Sequence, residues 1–224
     1  MTAPSAGGRA DVRRQADAPD WLAPLLTAPD EAAPPSSGGR ASAVLILLGT
    51  GPHGPDVLLI ERSPASRHHP GQVAFPGGAR EPSDDGPIAT ALREAAEETG
   101  FDPDGVRVLR VLAPRSLVVS GFDVVPVLAW WARPSAVRPV DPAEVVAVAR
   151  VPLRWLADPA HRYQVRYPNG GSGPAFDLRG TAGGGFFIWG FTARLLDWLL
   201  TAGGWAVPWP VDDVRDLPAS ADRA

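Results

Sequence analysis

The sequence predicts a mixed α/β sandwich, on three observations. Apolar β-like runs recur from Ala41 to Trp189, punctuated by Gly, Pro and Asp; a helix-period stretch follows Asp84 and stops at Gly100; a second covers Thr192–Leu200. In chain order, residues 1–20 are rich in Ala, Pro, Gly and charge and are expected to be disordered. Asp20–Ala28 suits a short helix that docks Trp21, Leu22 and Leu25, and residues 29–40 suit a flexible connector. Ala41–Leu48 and Val57–Arg62, separated by a Gly/Pro turn at 49–55, form an expected hairpin. Val73–Phe75 is a short strand ending at Pro76-Gly77-Gly78, expected to turn and bring a backbone carbonyl near the candidate cation. The next helix starts at Asp84-Asp85-Gly86-Pro87, with an acidic cap and an early Pro. At 100° per residue it places Ile88, Ala91, Leu92, Ala95 and Thr99 on one side, and Thr90, Arg93, Glu94 and Glu97 on the other, with Glu98 at the border. Further strands are expected at Val106–Ala113, Val124–Trp131, Val145–Val151, Tyr163–Tyr167, Phe176–Leu178 and Phe186–Trp189, with a helical turn at Pro152–Ala157. Beyond Ala202 the chain turns rich in Gly, Pro and Asp, predicting a tail that is loose beyond Trp209.

Composition excludes several classes of function. A net charge of -4 gives no support to nucleic-acid or anionic-membrane binding, and the longest apolar runs are far below spanning length. The absence of cysteine rules out disulfides and thiolate metal sites. With no secretory signal visible, a cytoplasmic enzyme is the expectation. All 21 basic residues are Arg, so any permanent cation that meets a substrate is a guanidinium.

The chemistry concentrates between Leu58 and Gly100. Glu94 and Glu98, four apart, stack their carboxylates on successive helical turns, and Glu97 lies beside them. Such a pair destabilises a bare helix by about 0.2–0.5 kcal/mol, and a bound cation reverses that sign. Oxygen ligands suit Mg²⁺ or Mn²⁺. Alone, the same acids suit a solvated face better than a metal site. Upstream, Arg62 and Arg67 are fitted to bidentate contact with phosphate oxygens. His68 and His69 read as loop residues, because adjacent side chains on an extended segment point apart. The GTAGGG stretch at 180–185 lacks the Gly-Lys-Ser/Thr of a phosphate loop and reads as mobile. Trp130, Trp131, Trp155 and Trp189 read as core and rim aromatics.

Gly78, Arg93, Glu94, Glu97, Glu98 and Gly100 resemble the Nudix box, G-x5-E-x7-R-E-U-x-E-E-x-G-U, with U aliphatic. The chain is one residue longer between Gly78 and Arg93, Asp85 or Asp84 fills the leading acidic position, and Phe101 fills the last aliphatic slot. Leu58-Leu59-Ile60-Glu61-Arg62-Ser63, Arg67, Gly71 and Phe75-Pro76-Gly77-Gly78 are similar to the additional motif of coenzyme A diphosphatases in that superfamily, with Ile60 replacing a Thr. Ser120–Val127, Asp141–Val145, Val151–Leu153 and Ile188–Gly190 extend the likeness over roughly 41–200, leaving 1–40 as an N-terminal extension and 201–224 as the tail. The resemblance implies a Nudix fold, an α/β/α sandwich with a mixed β-sheet. It implies Mg²⁺ or Mn²⁺ on Glu94 and Glu98, with Glu97 as a further ligand or base and Glu144 as the other candidate base. Arg62, Arg67, Gly77 and Gly78 would bind substrate, coenzyme A or an acyl-coenzyme A; Nudix proteins often pair, which leaves both a monomer and a homodimer open. Two other readings stay open: a Nudix hydrolase acting on ADP-ribose or a dinucleotide, and a silent domain that only binds a nucleotide or acyl-coenzyme A.

Overall fold

The computed structural model describes residues 18–30, 38–66, 69–117, 121–168, 170–181 and 185–218. Its centre is β1 (Arg40–Gly51), an almost continuous apolar run that is buried on both faces. Antiparallel pairing to β2 (Gly54–Arg62) matches Leu48 with Val57, and parallel pairing to β7 (Phe122–Trp131) matches Leu45 with Val127. The short strands β3 (Val73–Ala74) and β4 (Gly77–Ala79) join β2 and β1 respectively. On the far side β5 (Val106–Val111) and β6 (Arg115–Leu117) run antiparallel to β7, and β8 (Val145–Pro152) runs antiparallel to β2. One parallel and several antiparallel pairings make this a mixed eight-stranded sheet.

Side-chain alternation divides the core in two. Ala43, Leu45, Leu47, Leu58, Val127, Ala129 and Trp131 pack under helix α2 (Pro87–Thr99), against Ala91 and Ala95. Ile46, Leu48, Val57 and Leu59 face the other way. There they meet Leu195, Leu196 and Leu199 of a helix at Gly190–Ala202, and Leu153 and Leu156 of the short helix α3 (Leu153–Ala157), so the long C-terminal helix is α4. Helices on both faces of a mixed sheet give an α/β/α sandwich.

The N-terminal segment belongs to this second layer. A 3₁₀ turn at Asp20–Leu22 leads into helix α1 (Ala23–Thr27), and Leu22 and Leu25 are fully buried. The Nη1 of Arg110 donates to the carbonyls of Leu25 (3.2 Å) and Ala28 (2.6 Å), supplying donors that the last helical turn lacks. Asp30, in the stretch expected to be a flexible connector, accepts from Arg115 Nη2 at 2.8 Å and from the amide of Ala113. Leu25→Ala is expected to cost about 2–5 kcal/mol through the cavity it leaves, read as a lower midpoint in urea denaturation.

The C-terminal part forms a second sheet from β9 (Arg162–Arg166), β10 (Ser172–Asp177), β11 (Phe187–Ile188) and β12 (Val214–Asp216). The described tail is anchored, contrary to the loose one expected. Trp205 lies 5.8 Å from Trp21 between ring centroids, Trp209 sits over the buried guanidinium of Arg162 at 4.4 Å, and β12 pairs in parallel with β9. Aromatic burial outweighs the Gly/Pro composition there.

Helix α2 also differs from its expected orientation. Ile88 is exposed, while Thr90 and Glu98 are buried with Ala91, Ala95 and Thr99. The small alanines let the helix lie close to the sheet; Thr90 and Glu98 find partners outside the helix, and the Thr99 hydroxyl donates back to the Ala95 carbonyl. Gly86 (φ 86°) precedes Pro87, and Gly100 ends the helix in the left-handed region (φ 67°). Asp84 does not cap the helix with its side chain. No helix among the described residues is long and apolar enough to cross a membrane.

Candidate active site

Glu98 lies at the centre of the site. It sits on the last turn of α2, only 5% exposed, where the helix passes the β4 end of the sheet. Its Oε2 accepts from the Gly77 amide at 2.8 Å, and its Oε1 meets Arg62 Nη1 at 3.3 Å. Burial pushes its carboxyl up to about 7, against the lowering pull of Arg62 and the Gly77 N–H; Glu94 and Glu144 add to the rise by like-charge repulsion. Gly77 and Gly78 are therefore not a free turn. They form β4, pairing with Val44 and Ala43 of β1, and the Gly77 amide donates to the acidic helix at Glu98.

Glu94 is one turn earlier on the same helix and its carboxylate packs against Gly78, occupying the space a Cβ would take. Burial raises its pKa as well, and Arg93 and Arg62 lower it. Arg93 organises the adjoining loop. It grips Asp84 with Nε and Nη2 at 3.0 and 2.9 Å, donates to the Ala79 carbonyl at 3.0 Å, and pairs with Glu94 at 3.1 Å and Glu97 at 3.0 Å. Asp84 also accepts from the Glu81 amide and the Thr90 hydroxyl, and these donors, Arg93 foremost, hold its carboxyl well below the usual range. Of the two acids considered for the leading position, Asp84 makes these contacts and Asp85 is exposed. Gly78 to Asp84 preserves the G-x5-acid spacing, so the extra residue falls between Asp84 and Arg93.

Glu144 reaches the site through strand pairing. β8 runs antiparallel to β2 with Val145 opposite Arg62, which puts the preceding Glu144 beside the end of β2. Its carbonyl accepts from the Ser63 amide at 2.8 Å and the Ser66 hydroxyl at 3.4 Å. The role of these serines was missed in the sequence; Ser63 stood inside a motif, but Ser66 filled a variable position. Glu97 is more open, 59% exposed, and pairs with Arg93, which also holds Glu94. Arg67 and His68 lie outside the described residues, as do 182–184 of the GTAGGG stretch, and His69 stands in a left-handed loop conformation (φ 53°). The tryptophans sit as expected: Trp131 is buried, and Trp130, Trp155 and Trp189 pack at the borders of the clusters.

Among the described residues no three His, Cys, Asp or Glu side chains converge into a metal cage. Mg²⁺ does not need one, because it keeps several waters and takes one or two carboxylates together with substrate phosphates. Glu94 and Glu98, coupled in charge and one turn apart, fit that donor set.

The NUDIX domain family profile matches residues 39–168, more than half of the sequence. The chain belongs to the Nudix family. The uncharacterized Nudix hydrolase NudL of Klebsiella aerogenes is 48% identical over 103 residues, covering 46% of this chain and 83% of that protein. NudL of Salmonella newport is 37% identical over 157 residues, 70% of this chain and 79% of that protein. The match to NudL of Pectobacterium atrosepticum (45% identical) spans only 58% of that relative and 51% of this chain. Among solved structures, the Nudix hydrolase RenU of M. smegmatis aligns over 58% of this chain and 81% of its own, at 27% identity and a TM-score of 0.45. By that family membership the fold is the Nudix fold, and the protein is a Nudix diphosphatase, a pyrophosphohydrolase of a family that generally uses divalent metal ions.

Proposed function

We propose that this Nudix enzyme cleaves the diphosphate of coenzyme A or an acyl-coenzyme A, giving (acyl-)4′-phosphopantetheine and adenosine 3′,5′-bisphosphate. One observation carries the reading: the Leu58–Gly78 motif, which resembles that of coenzyme A diphosphatases, ends β2 with Arg62 directly beside Glu98 and supplies the Gly77 amide that holds Glu98 in place. That the motif touches the acidic helix at two points supports a place for it at the reacting centre.

In this reading Glu94 and Glu98 hold Mg²⁺ or Mn²⁺, which when bound neutralises the anhydride oxygens. Arg62, together with Arg67, binds phosphate oxygens and fixes the diphosphate. Gly77 and Gly78 serve the substrate indirectly, one by donating to Glu98 and the other by leaving room for Glu94. Glu144, in charge contact with Glu98, orients or deprotonates the attacking water; Glu97, turned to solvent and paired with Arg93, supports the helix from outside. No covalent enzyme intermediate is required, since positioning and charge neutralisation suffice. Glu144→Gln is expected to lower kcat about 100-fold, in the range of a lost general base; an unchanged kcat would remove it from the mechanism.

The substrate itself is tested by incubation with coenzyme A, 3′-dephospho-coenzyme A and ADP-ribose, with Mg²⁺ or Mn²⁺, and identification of products by mass. Preferential release of adenosine 3′,5′-bisphosphate supports the proposal. Faster cleavage of ADP-ribose would assign a different diphosphate, and coenzyme A binding without product would indicate a silent binder.

A further inference from the structure

We propose that Arg62 is an internal stand-in for the metal: it neutralises Glu98 in the metal-free protein, and metal loading moves its guanidinium from Glu98 to the phosphate of the substrate. This deepens the reading above and rests on Glu98 being a metal ligand, but not on coenzyme A being the substrate.

A buried carboxylate is costly unless it is paired and hydrogen-bonded. Glu98 is 5% exposed and both of its oxygens are engaged, Oε2 by the Gly77 amide and Oε1 by Arg62. These two partners differ in their freedom to leave. Gly77 is held in β4 against β1, with the Ala43 carbonyl oxygen and Val44 Cα crowding the space a Cβ would take. Arg62 is the last residue of β2, just past a register shift at Glu61/Arg62, and its side chain is 24% exposed. Among the described residues that side chain makes no other hydrogen bond or ion pair than the one to Glu98.

That contact is also weak for an arginine–carboxylate pair. It is a single bond at 3.3 Å, whereas Arg93 holds Asp84 with two bonds at 2.9–3.0 Å, within the ordinary range for such pairs. A divalent cation on Oε1 would share that oxygen with a like-charged guanidinium, and their repulsion favours release of the more mobile group. The freed guanidinium, still on the end of β2, has the donor geometry for a phosphate. Cation and phosphate then assist each other, because each takes one partner of the same ion pair.

The test is Mn²⁺ binding to the substrate-free protein at pH 8, followed by the paramagnetic resonance signal of free Mn²⁺. Arg62→Ala is expected to bind Mn²⁺ about fivefold or more tightly, the scale of a modest coupling between sites. Arg62→Lys, which keeps the charge, should stay near the unmodified protein. A merely structural role predicts the opposite sign, since a loosened Glu98 binds metal less well. Unchanged or weaker binding by Arg62→Ala would overturn the proposal; if that variant fails to fold by circular dichroism, Arg62→Gln, which retains part of the stem, answers the same question. Glu98→Gln should lose most Mn²⁺ binding, and undiminished binding there would remove Glu98 from the metal site, a failure distinct from that of Arg62 and from a negative result with coenzyme A.

Discussion

Glu98→Gln is expected to lower turnover about 1000-fold, and at the same time to make the metal-free protein more stable at pH 8. The first effect follows from the proposed ligand role, in which metal charge at the anhydride contributes several kcal/mol, about 4 for a thousandfold. The second follows from burial. The Glu98 carboxyl is pushed from an ordinary 4.5 up to about 7, so between these values the folded protein keeps a proton that the unfolded chain has lost. Stability therefore falls as pH rises through that window, and above it the ionised Glu98 is a net cost. The interval corresponds to about 3 kcal/mol, part of which the substitution returns by leaving Arg62 without its partner. A gain of about 1–2 kcal/mol at pH 8 remains, a few degrees in the unfolding midpoint for a chain of this size. Near pH 4.5 the two proteins should converge. Urea denaturation at both pH values, without metal, checks the sign; a gap independent of pH would show that the Glu98 carboxyl is not held neutral by burial. Turnover within tenfold of the unmodified enzyme would remove Glu98 from the reaction.

The frame around that residue was readable where local physics decides it. β1 and the flanks of α2 follow from apolar runs, an early Pro87 and a left-handed Gly100, all features of the immediate sequence. The face of α2 was not. Periodicity puts Ile88 inside and Thr90 outside, yet Thr90 is buried because Asp84 accepts its hydroxyl hydrogen, and Glu98 is buried because the Gly77 amide and Arg62 wait for it. Such satisfaction depends on partners 6 to 36 positions away and leaves no periodic trace. The strands β4, β6 and β12, three residues each, were equally invisible, since a ladder that short carries no alternation of its own. At the site, spacing put Glu94, Glu97 and Glu98 on one stretch of helix, but it could not show that Glu97 stands far more open to solvent than the other two. Glu144 came from a resemblance; the pairing of Val145 with Arg62 now gives a physical reason for its presence.

The two glycines that end the motif are expected to fail in different ways when given a methyl group. At Gly77 a Cβ would land on the Ala43 carbonyl oxygen and the Val44 Cα, both of them backbone of the central strand. Neither can yield without distorting the β1–β4 pairing, so Gly77→Ala should cost about 1–3 kcal/mol or more and appear as a lower unfolding midpoint. It also displaces the amide that holds Glu98, so activity falls with it. At Gly78 the three atoms nearest the same methyl would all belong to the carboxylate of Glu94, the movable end of a flexible side chain. That group can swing aside, and the fold should survive with a midpoint close to the unmodified protein. The displacement, however, falls on a proposed metal ligand, and turnover should drop about 100-fold, as expected when a reacting group is misplaced by an ångström. Measuring midpoint and kcat for both variants separates the cases. Equal loss of stability in the two would show that the Glu94 carboxylate cannot swing aside, whereas a fully active Gly78→Ala would mean that it does not need its place beneath Gly78 for the reaction, and the ligand pair would have to be sought with Glu98 and a different partner.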